Sequence, residues 1–311
     1  MPEAKELILV HNGALGDFLQ AWPGILALSG ELAERRLLWA GREAYSLWTT
    51  PLGLTDSPAH RRRVSLLYGA SQWPRELGDA RVVWFGLRRP PTEVPLPGLW
   101  FVPMLDEEKD TPPRRVCLQW LQGKGLAADR DWKRAWLELF PPEQAKRDPL
   151  RVLIFPGAGH PGKCWPLERF LRVADWLREQ GYRVCFVLGP AEQERGLRVD
   201  PFPWVAPEDL GQLQEWIQSS GFILGNDSGP MHLAGCCQVP GLALFGPSPA
   251  RQWGPEGIHT ISGSAPCRPC TRMGRVGCSD PECLRDISVH RVTKALQQML
   301  AQSDTGAING C

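Results

Sequence analysis

The chain has 311 residues, too many for one ordinary domain and enough for two of about 150, each burying its own core. Basic and acidic residues number 35 and 34, and they divide 20 against 19 before residue 150 and 15 against 15 after it, so neither half is a polyanion binder and no nucleic-acid partner is expected. No stretch approaches the ~18 apolar residues of a membrane span, and Met1 to Glu6 holds no apolar signal region, which predicts a cytoplasmic protein without a transmembrane segment. Of the ten cysteines, Cys117, Cys164, Cys185, Cys236 and Cys237 are scattered among apolar or site-forming segments, where a reduced thiol behaves as a small hydrophobe.

In chain order, Glu6 to Val10 is an apolar run that reads as a strand, His11 to Gly16 as a glycine-containing turn, and Asp17 to Leu28 as a helix. Leu37 to Ala40, Arg81 to Phe85 and Leu99 to Pro103 are further short strands. The proline-rich, charged stretch from Phe140 to Pro149 reads as a linker, dividing the chain into domains at 1–145 and 146–288. The second half repeats the theme: strand Val152 to Phe155, a glycine loop, helix Pro166 to Gln180 stopped by Gly181, strand Arg183 to Leu188. Helix Leu210 to Ser220, strand Phe222 to Leu224, helix Met231 to Cys237 and strand Gly241 to Phe245 follow. The last amphipathic helix, 289–302, places Val292, Leu296, Met299 and Leu300 on one face, and 303–311 reads as an unstructured tail. Alternating strands and helices of this kind build α/β domains with doubly wound parallel sheets.

Three loops follow strands and so fall at strand carboxyl ends, where open α/β sheets bind ligands. They are Gly13 to Asp17, Pro156 to Lys163 and Gly225 to Pro230. Glycine loops mark turns more often than phosphate sites, so each alone is a weak signal. The second is stronger. Gly157, Ala158 and Gly159 let backbone N–H groups approach an anion, and Lys163, one of two lysines after residue 150, stands before a helix start.

Gly16-Asp17 with Pro23, Pro156 to Gly159 with Lys163 to Pro166, Asn226 to Ala234, and Phe245 to Pro247 with Trp253 to Pro255 stand in an order and spacing that resemble the ADP-heptose:lipopolysaccharide heptosyltransferase family. The resemblance implies a GT-B fold, two Rossmann-like domains facing a central cleft, with donor nucleotide on the second domain and acceptor on the first. It implies that the closing helix packs back on the N-terminal domain. It also implies an inverting transfer of heptose from an ADP-linked donor to a lipid-linked lipopolysaccharide core or related glycan, peripheral to the inner membrane surface, with no cofactor needed for catalysis.

Such a transfer needs a base for the acceptor hydroxyl and a stabiliser for the departing diphosphate. Asp17 matches the family's Gly-Asp motif, which implies the base; beside Gly16 at a helix start, it also reads as a carboxylate favoured by the helix dipole. Lys163 would meet the diphosphate, together with the Ser228 and Gly229 backbone and the Ser228 hydroxyl at a helix N-terminus. Asp227 would face sugar hydroxyls or orient Lys163, Glu192 stands at the family's ribose-binding position, and His232, a turn further in, is either structural or a donor contact. His11 replaces a basic residue of many relatives, which predicts an acceptor-side anion contact that depends on pH. Cys267, Cys270, Cys278 and Cys283 have spacing that suits a structural zinc, reduced thiols or, less readily in the cytosol, disulfides. The rivals are a Rossmann oxidoreductase, which lacks its G-x-G-x-x-G and following acid here, and a non-catalytic or epimerase-like nucleotide-sugar-binding protein.

Overall fold

The computed structural model describes residues 5–106, 109–143, 147–270, 276, 278 and 281–308, with 302–308 as backbone only. The chain separates into two compact units, Met1–Pro141 with Asp209–Gly211, and Pro142–Glu208 with Gln212–Cys311. Part of the expected linker, residues 144–146, lies outside the described residues, and the first strand of the second unit already begins at Asp148.

The first unit runs β1 (Glu6–Val10), α1 (Leu15–Glu31), β2 (Arg36–Trp39), α2 (Ser46–Thr49), β3 (Thr55–Asp56), α3 (Pro58–Ser65), β4 (Arg81–Gly86), β5 (Leu99–Pro103), α4 (Pro113–Gln122) and α5 (Trp132–Leu139). Its five strands are all parallel in the order β3-β2-β1-β4-β5. Leu7 to Val10 are wholly buried, as a central strand covered on both faces must be. The order reverses between β1 and β4, so the loop after β1 opens at the switch point, where such sheets hold ligands. Helix α1 packs closely on α4 because Gly24 has no side chain; a Cβ there would overlap the Cys117 sulfur. Trp22, Trp39, Trp48 and Trp136 are wholly buried in this unit: Trp22 meets Trp136 edge-on at 4.9 Å and donates its indole N–H to the Trp48 carbonyl at 3.0 Å.

The second unit runs β6 (Asp148–Phe155), α6 (Leu167–Glu179), β7 (Arg183–Val187), α7 (Pro190–Glu194), β8 (Trp204–Val205), α8 (Leu210–Gln218), β9 (Ser220–Asn226), α9 (Gly229–Cys236), β10 (Gly241–Phe245), α10 (Ala250–Trp253), β11 (His259–Ser262), α11 (Glu282–Arg285) and α12 (Val289–Ile308). Six parallel strands stand in the order β11-β10-β9-β6-β7-β8. The reversal falls between β6 and β9, so the loops after these two strands meet at the switch point. Helix α6 buries Phe170, Val173, Ala174 and Leu177, the i, i+3, i+4, i+7 stripe of an amphipathic helix. It stops at Gly181, whose φ of 88° suits glycine, with the Tyr182 N–H returning to the Leu177 carbonyl at 3.0 Å.

At the C-terminus, Val292, Leu296 and Leu300 of α12 join the core of the second unit beside the α6 stripe. Their four-residue spacing matches the apolar face that α6 offers. The helix also continues to Ile308, through most of the stretch read as a tail.

Candidate active site

In the second unit the site is built around Asn226, the last residue of β9, which is 0% exposed. Its Nδ2 donates to the Pro156 carbonyl at 2.7 Å, and its Oδ1 accepts from the Trp165 N–H at 2.9 Å. One side chain thus ties both ends of the glycine loop to the neighbouring strand. Trp165 is anchored in turn, its indole N–H donating to the Ile287 carbonyl at 2.9 Å. With its ends held, the loop places Lys163 against Asp227, the first residue after β9: Lys163 Nζ donates to Asp227 Oδ2 at 2.8 Å. The Asp227 side chain is 10% exposed and that of Lys163 28%, so the pair is largely shielded from water while part of the Lys163 side chain stays accessible.

Ser228 occupies the N-cap of α9 with extended backbone, yet its hydroxyl makes no cap bond and its Oγ is buried without a partner. A buried hydroxyl left unpaired costs about 1–3 kcal/mol, and its place beside Lys163–Asp227 at a helix N-terminus is where an anionic ligand would satisfy it. His232 lies further along α9 and is buried.

The glycines of the loop divide by what they serve. A Cβ at Gly157 would overlap the Glu192 carboxylate, and one at Gly162 would stand 2.6 Å from Val276 Cγ1, so both are required by packing. A Cβ at Gly159 would meet nothing within 4 Å, so the loop is open there. Ala158 is buried beneath it. Glu192 opens α7, and its Oε2 accepts the Gly189 N–H at 2.9 Å. One oxygen therefore fixes its own loop while the carboxylate leans over Gly157. Glu194, two residues on, is exposed.

In the first unit, Asp17 stands in the first turn of α1, half-buried, in the loop after β1. The His11 ring packs under this loop: a Cβ at Gly13 would lie 2.8 Å from His11 Cε1 and 3.1 Å from Asp17 Cβ. His11 is 1% exposed, and burial, reinforced by the Arg42 charge, pushes its pKa down to about 3. This corrects the expectation of a pH-dependent anion contact, because a histidine that stays neutral through the physiological range has no charge to offer. The ring instead supports the loop with Phe18 and Tyr45, whose centroids lie 5.8 and 6.3 Å away. Tyr45 donates to the Gly13 carbonyl at 3.0 Å, and burial raises its phenol to about 12.

The sequence pattern of glycosyltransferase family 9 (heptosyltransferase) matches residues 123–277. The chain belongs to this family. The chain is 31% identical over 116 residues to lipopolysaccharide heptosyltransferase 3 of Escherichia coli (strain K12), a match covering 33% of each protein. Across the curated relatives the matched stretches cover between 33% and 46% of their lengths. The structure of E. coli ADP-heptose LPS heptosyltransferase II has a TM-score of 0.64 at 19% identity, covering 96% of this chain and 99% of that one. E. coli heptosyltransferase WaaC with ADP has a TM-score of 0.66 at 13% identity, covering 94% and 99%. These two likenesses establish the shared fold.

Within this family 9 chain, the matched range includes Gly157 to Lys163, Glu192 and Asn226 to His232, and ends before Cys278 and Cys283. It does not reach His11 to Asp17. Among the described residues no group of three or more His, Cys, Asp or Glu side chains is arranged to hold a metal, so the structural-zinc reading of Cys267, Cys270, Cys278 and Cys283 finds no support. The thiols differ in setting: Cys283 is 3% exposed and the other three are exposed, with residues 271–275, 277, 279 and 280 outside the described residues. Burial, with Cys270 and Cys267 nearby, holds the Cys283 thiol above the usual range and so protonated. Two residues carry more than their sequence positions suggested. Asn226 was visible as a lone amide closing the apolar run Phe222 to Gly225, whereas nothing in the sequence marked Arg42, whose Nε donates to the Asn12 carbonyl at 3.0 Å.

Proposed function

We propose that the chain is an inverting glycosyltransferase that moves heptose from ADP-heptose onto a lipopolysaccharide core or related glycan, without a catalytic metal. The observation that carries this reading is the Lys163–Asp227 pair beside the unpartnered Ser228 hydroxyl at the β6/β9 switch point. Asp227 as an anion would repel a diphosphate, so its part is to hold Lys163 Nζ and to accept from sugar hydroxyls. The ammonium, the Ser228 hydroxyl and the α9 N-terminus then neutralise the diphosphate, the task a metal would otherwise perform. Glu192 takes the ribose hydroxyls with the oxygen that leans over Gly157. The names of the relatives support heptose and an adenine nucleotide as the donor parts.

In the transfer, Asp17 accepts the proton of the acceptor hydroxyl as its oxygen bonds to the anomeric carbon from the face opposite the leaving group. The carbon–oxygen bond to the diphosphate breaks, and ADP departs with the electron pair, its new charge met by Lys163. Direct displacement of this kind inverts the anomeric centre. Among the described residues no helix is long and apolar enough to cross a membrane, and a lipid-linked acceptor would bring the protein to the inner membrane surface from the cytoplasm.

A nucleotide panel tests the donor assignment. ADP should raise the unfolding midpoint more than UDP or GDP, equally with and without EDTA, since a ligand that binds only the native state stabilises it. No ADP binding, or loss of binding in EDTA, overturns it. Product analysis with labelled ADP-heptose should show an inverted glycoside; an epimerised nucleotide sugar, or binding without turnover, would favour the epimerase-like or non-catalytic reading.

A further inference from the structure

The turn that carries Lys163 is closed at both of its amides by one residue. Pro161, Gly162 and Lys163 form a single helical turn with His160 at its N-cap. Pro161 has no N–H to satisfy. The Gly162 N–H donates to His160 Nδ1 at 3.1 Å, and the Lys163 N–H donates to the His160 carbonyl at 2.9 Å. The turn is also held from outside: a Cβ at Gly162 would stand 2.6 Å from Val276 Cγ1 and 3.1 Å from the Cys278 carbonyl oxygen, so Gly162 lies hard against that segment. Ahead of the turn the loop is open, since a Cβ at Gly159 would meet nothing within 4 Å. Asn226 ties the ends of the loop, and between those ends the bonds from His160 set where the Lys163 main chain sits.

A half-buried histidine in this place differs from the Ser, Thr, Asp or Asn that usually cap a helical turn. A main-chain N–H only donates, so Nδ1 must present its lone pair and the ring proton must sit on Nε2. A proton on Nδ1 removes the acceptor and sets one N–H against another, so the bond exists only with a neutral ring. Around the turn, among the described residues, stand Lys163 with its Asp227 partner and Cys278 on the segment packed against Gly162. Cys164 stands there too, its Sγ donating to the His160 carbonyl at 3.7 Å and its thiol raised by burial, with Arg195 and Glu192 acting on it.

We propose that His160 is a positioning residue for Lys163: its Nδ1 lone pair holds the Gly162 amide, and through that turn it sets the lysine ammonium against Asp227, 2.8 Å away. The reading of Lys163 as the cation for the donor diphosphate supplies the catalytic consequence. The hold on the turn stands without it.

The test reads hydrogen exchange at the Gly162 and Lys163 amides of the full chain, and ADP affinity by calorimetry. His160→Leu removes the acceptor, whereas His160→Asn puts an amide oxygen in place of Nδ1 and does not titrate. At pH 8 the leucine variant should lose protection at Gly162 and bind ADP about 5-fold more weakly, the loss expected for one hydrogen bond, and the asparagine variant should match the parent in both. From pH 8 to pH 5, Gly162 protection, corrected for intrinsic exchange, should fall by about 5-fold or more in the parent and stay level in His160→Asn. A charged ring would also draw an anion toward the loop, which acts on ADP affinity in the opposite direction, so the acid arm is read at the amide. A leucine variant that keeps its Gly162 protection, an asparagine variant as impaired as leucine, or equal pH responses in parent and asparagine variant would each overturn the role. Loss of Gly162 protection in the leucine variant with no ADP binding by the parent keeps the role and overturns the donor reading instead.

Discussion

Asn226→Leu removes the tie between β9 and the glycine loop with little change in side-chain volume, so the missing hydrogen bonds rather than a cavity set the cost. Two main-chain groups lose their partner, the Pro156 carbonyl and the Trp165 N–H, at a position 0% exposed. Each buried group left unsatisfied costs about 1–3 kcal/mol, so the second unit should lose about 2–6 kcal/mol. Hydrogen exchange at the Trp165 amide, with urea unfolding of the same unit, measures this directly. Protection at Trp165 should fall and ADP should bind more weakly, because Lys163 is positioned by the same loop. Asn226→Asp supplies an internal comparison, keeping an acceptor for Trp165 while facing the Pro156 carbonyl with a second oxygen. A leucine variant that loses less than about 1 kcal/mol and keeps Trp165 protected would refute the claim that Asn226 holds the loop.

The depressed His11 pKa predicts acid sensitivity: the unfolded chain takes up a proton near 6.5 that the folded loop refuses until about 3, so stability is present above 6.5 and is lost as pH falls below it. Between pH 7 and pH 5 the loss should be about 2 kcal/mol, and His11→Asn should flatten that slope in urea titrations at the two pH values. Gly157→Ala should push the Glu192 carboxylate aside and break its bond to the Gly189 N–H. Calorimetry should show weaker ADP binding with only about 1 kcal/mol lost from stability.

Strands β1 and β10 were legible residue for residue, because each is a continuous apolar run bounded by charged or glycine-containing segments, and burial on both faces demands such a run. Strand β11 escaped because His259 and Thr260 are exposed at the sheet edge and only Ile261 is buried. The two-residue strands β3 and β8 carry too few side chains to show a pattern. Helix α4 buries Pro113, Cys117 and Leu121 in a sound four-residue stripe, but two arginines and a proline-rich approach hid it. In the sites, Lys163 and Asp227 stand out in the sequence by residue type and loop position, and folding brings them within 2.8 Å of each other. The state of His11 was not legible, since its charge depends on the Phe18, Tyr45 and Arg42 surroundings that folding assembles from three segments. The same holds for Glu192, one of whose oxygens is engaged by its own loop.

The division of labour between Asp17 and Lys163 is tested most directly by measuring donor Kd and kcat for Asp17→Asn and Lys163→Ala with a competent acceptor. Asp17→Asn should bind donor like the parent and transfer sugar slower by a factor on the order of 100 or more, the usual loss for a missing general base. Lys163→Ala should lose both affinity and turnover, because its charge meets the diphosphate in the bound donor and more strongly as the leaving group forms. Near-parental transfer by Asp17→Asn, or loss of its donor binding, would contradict the assignment of the base.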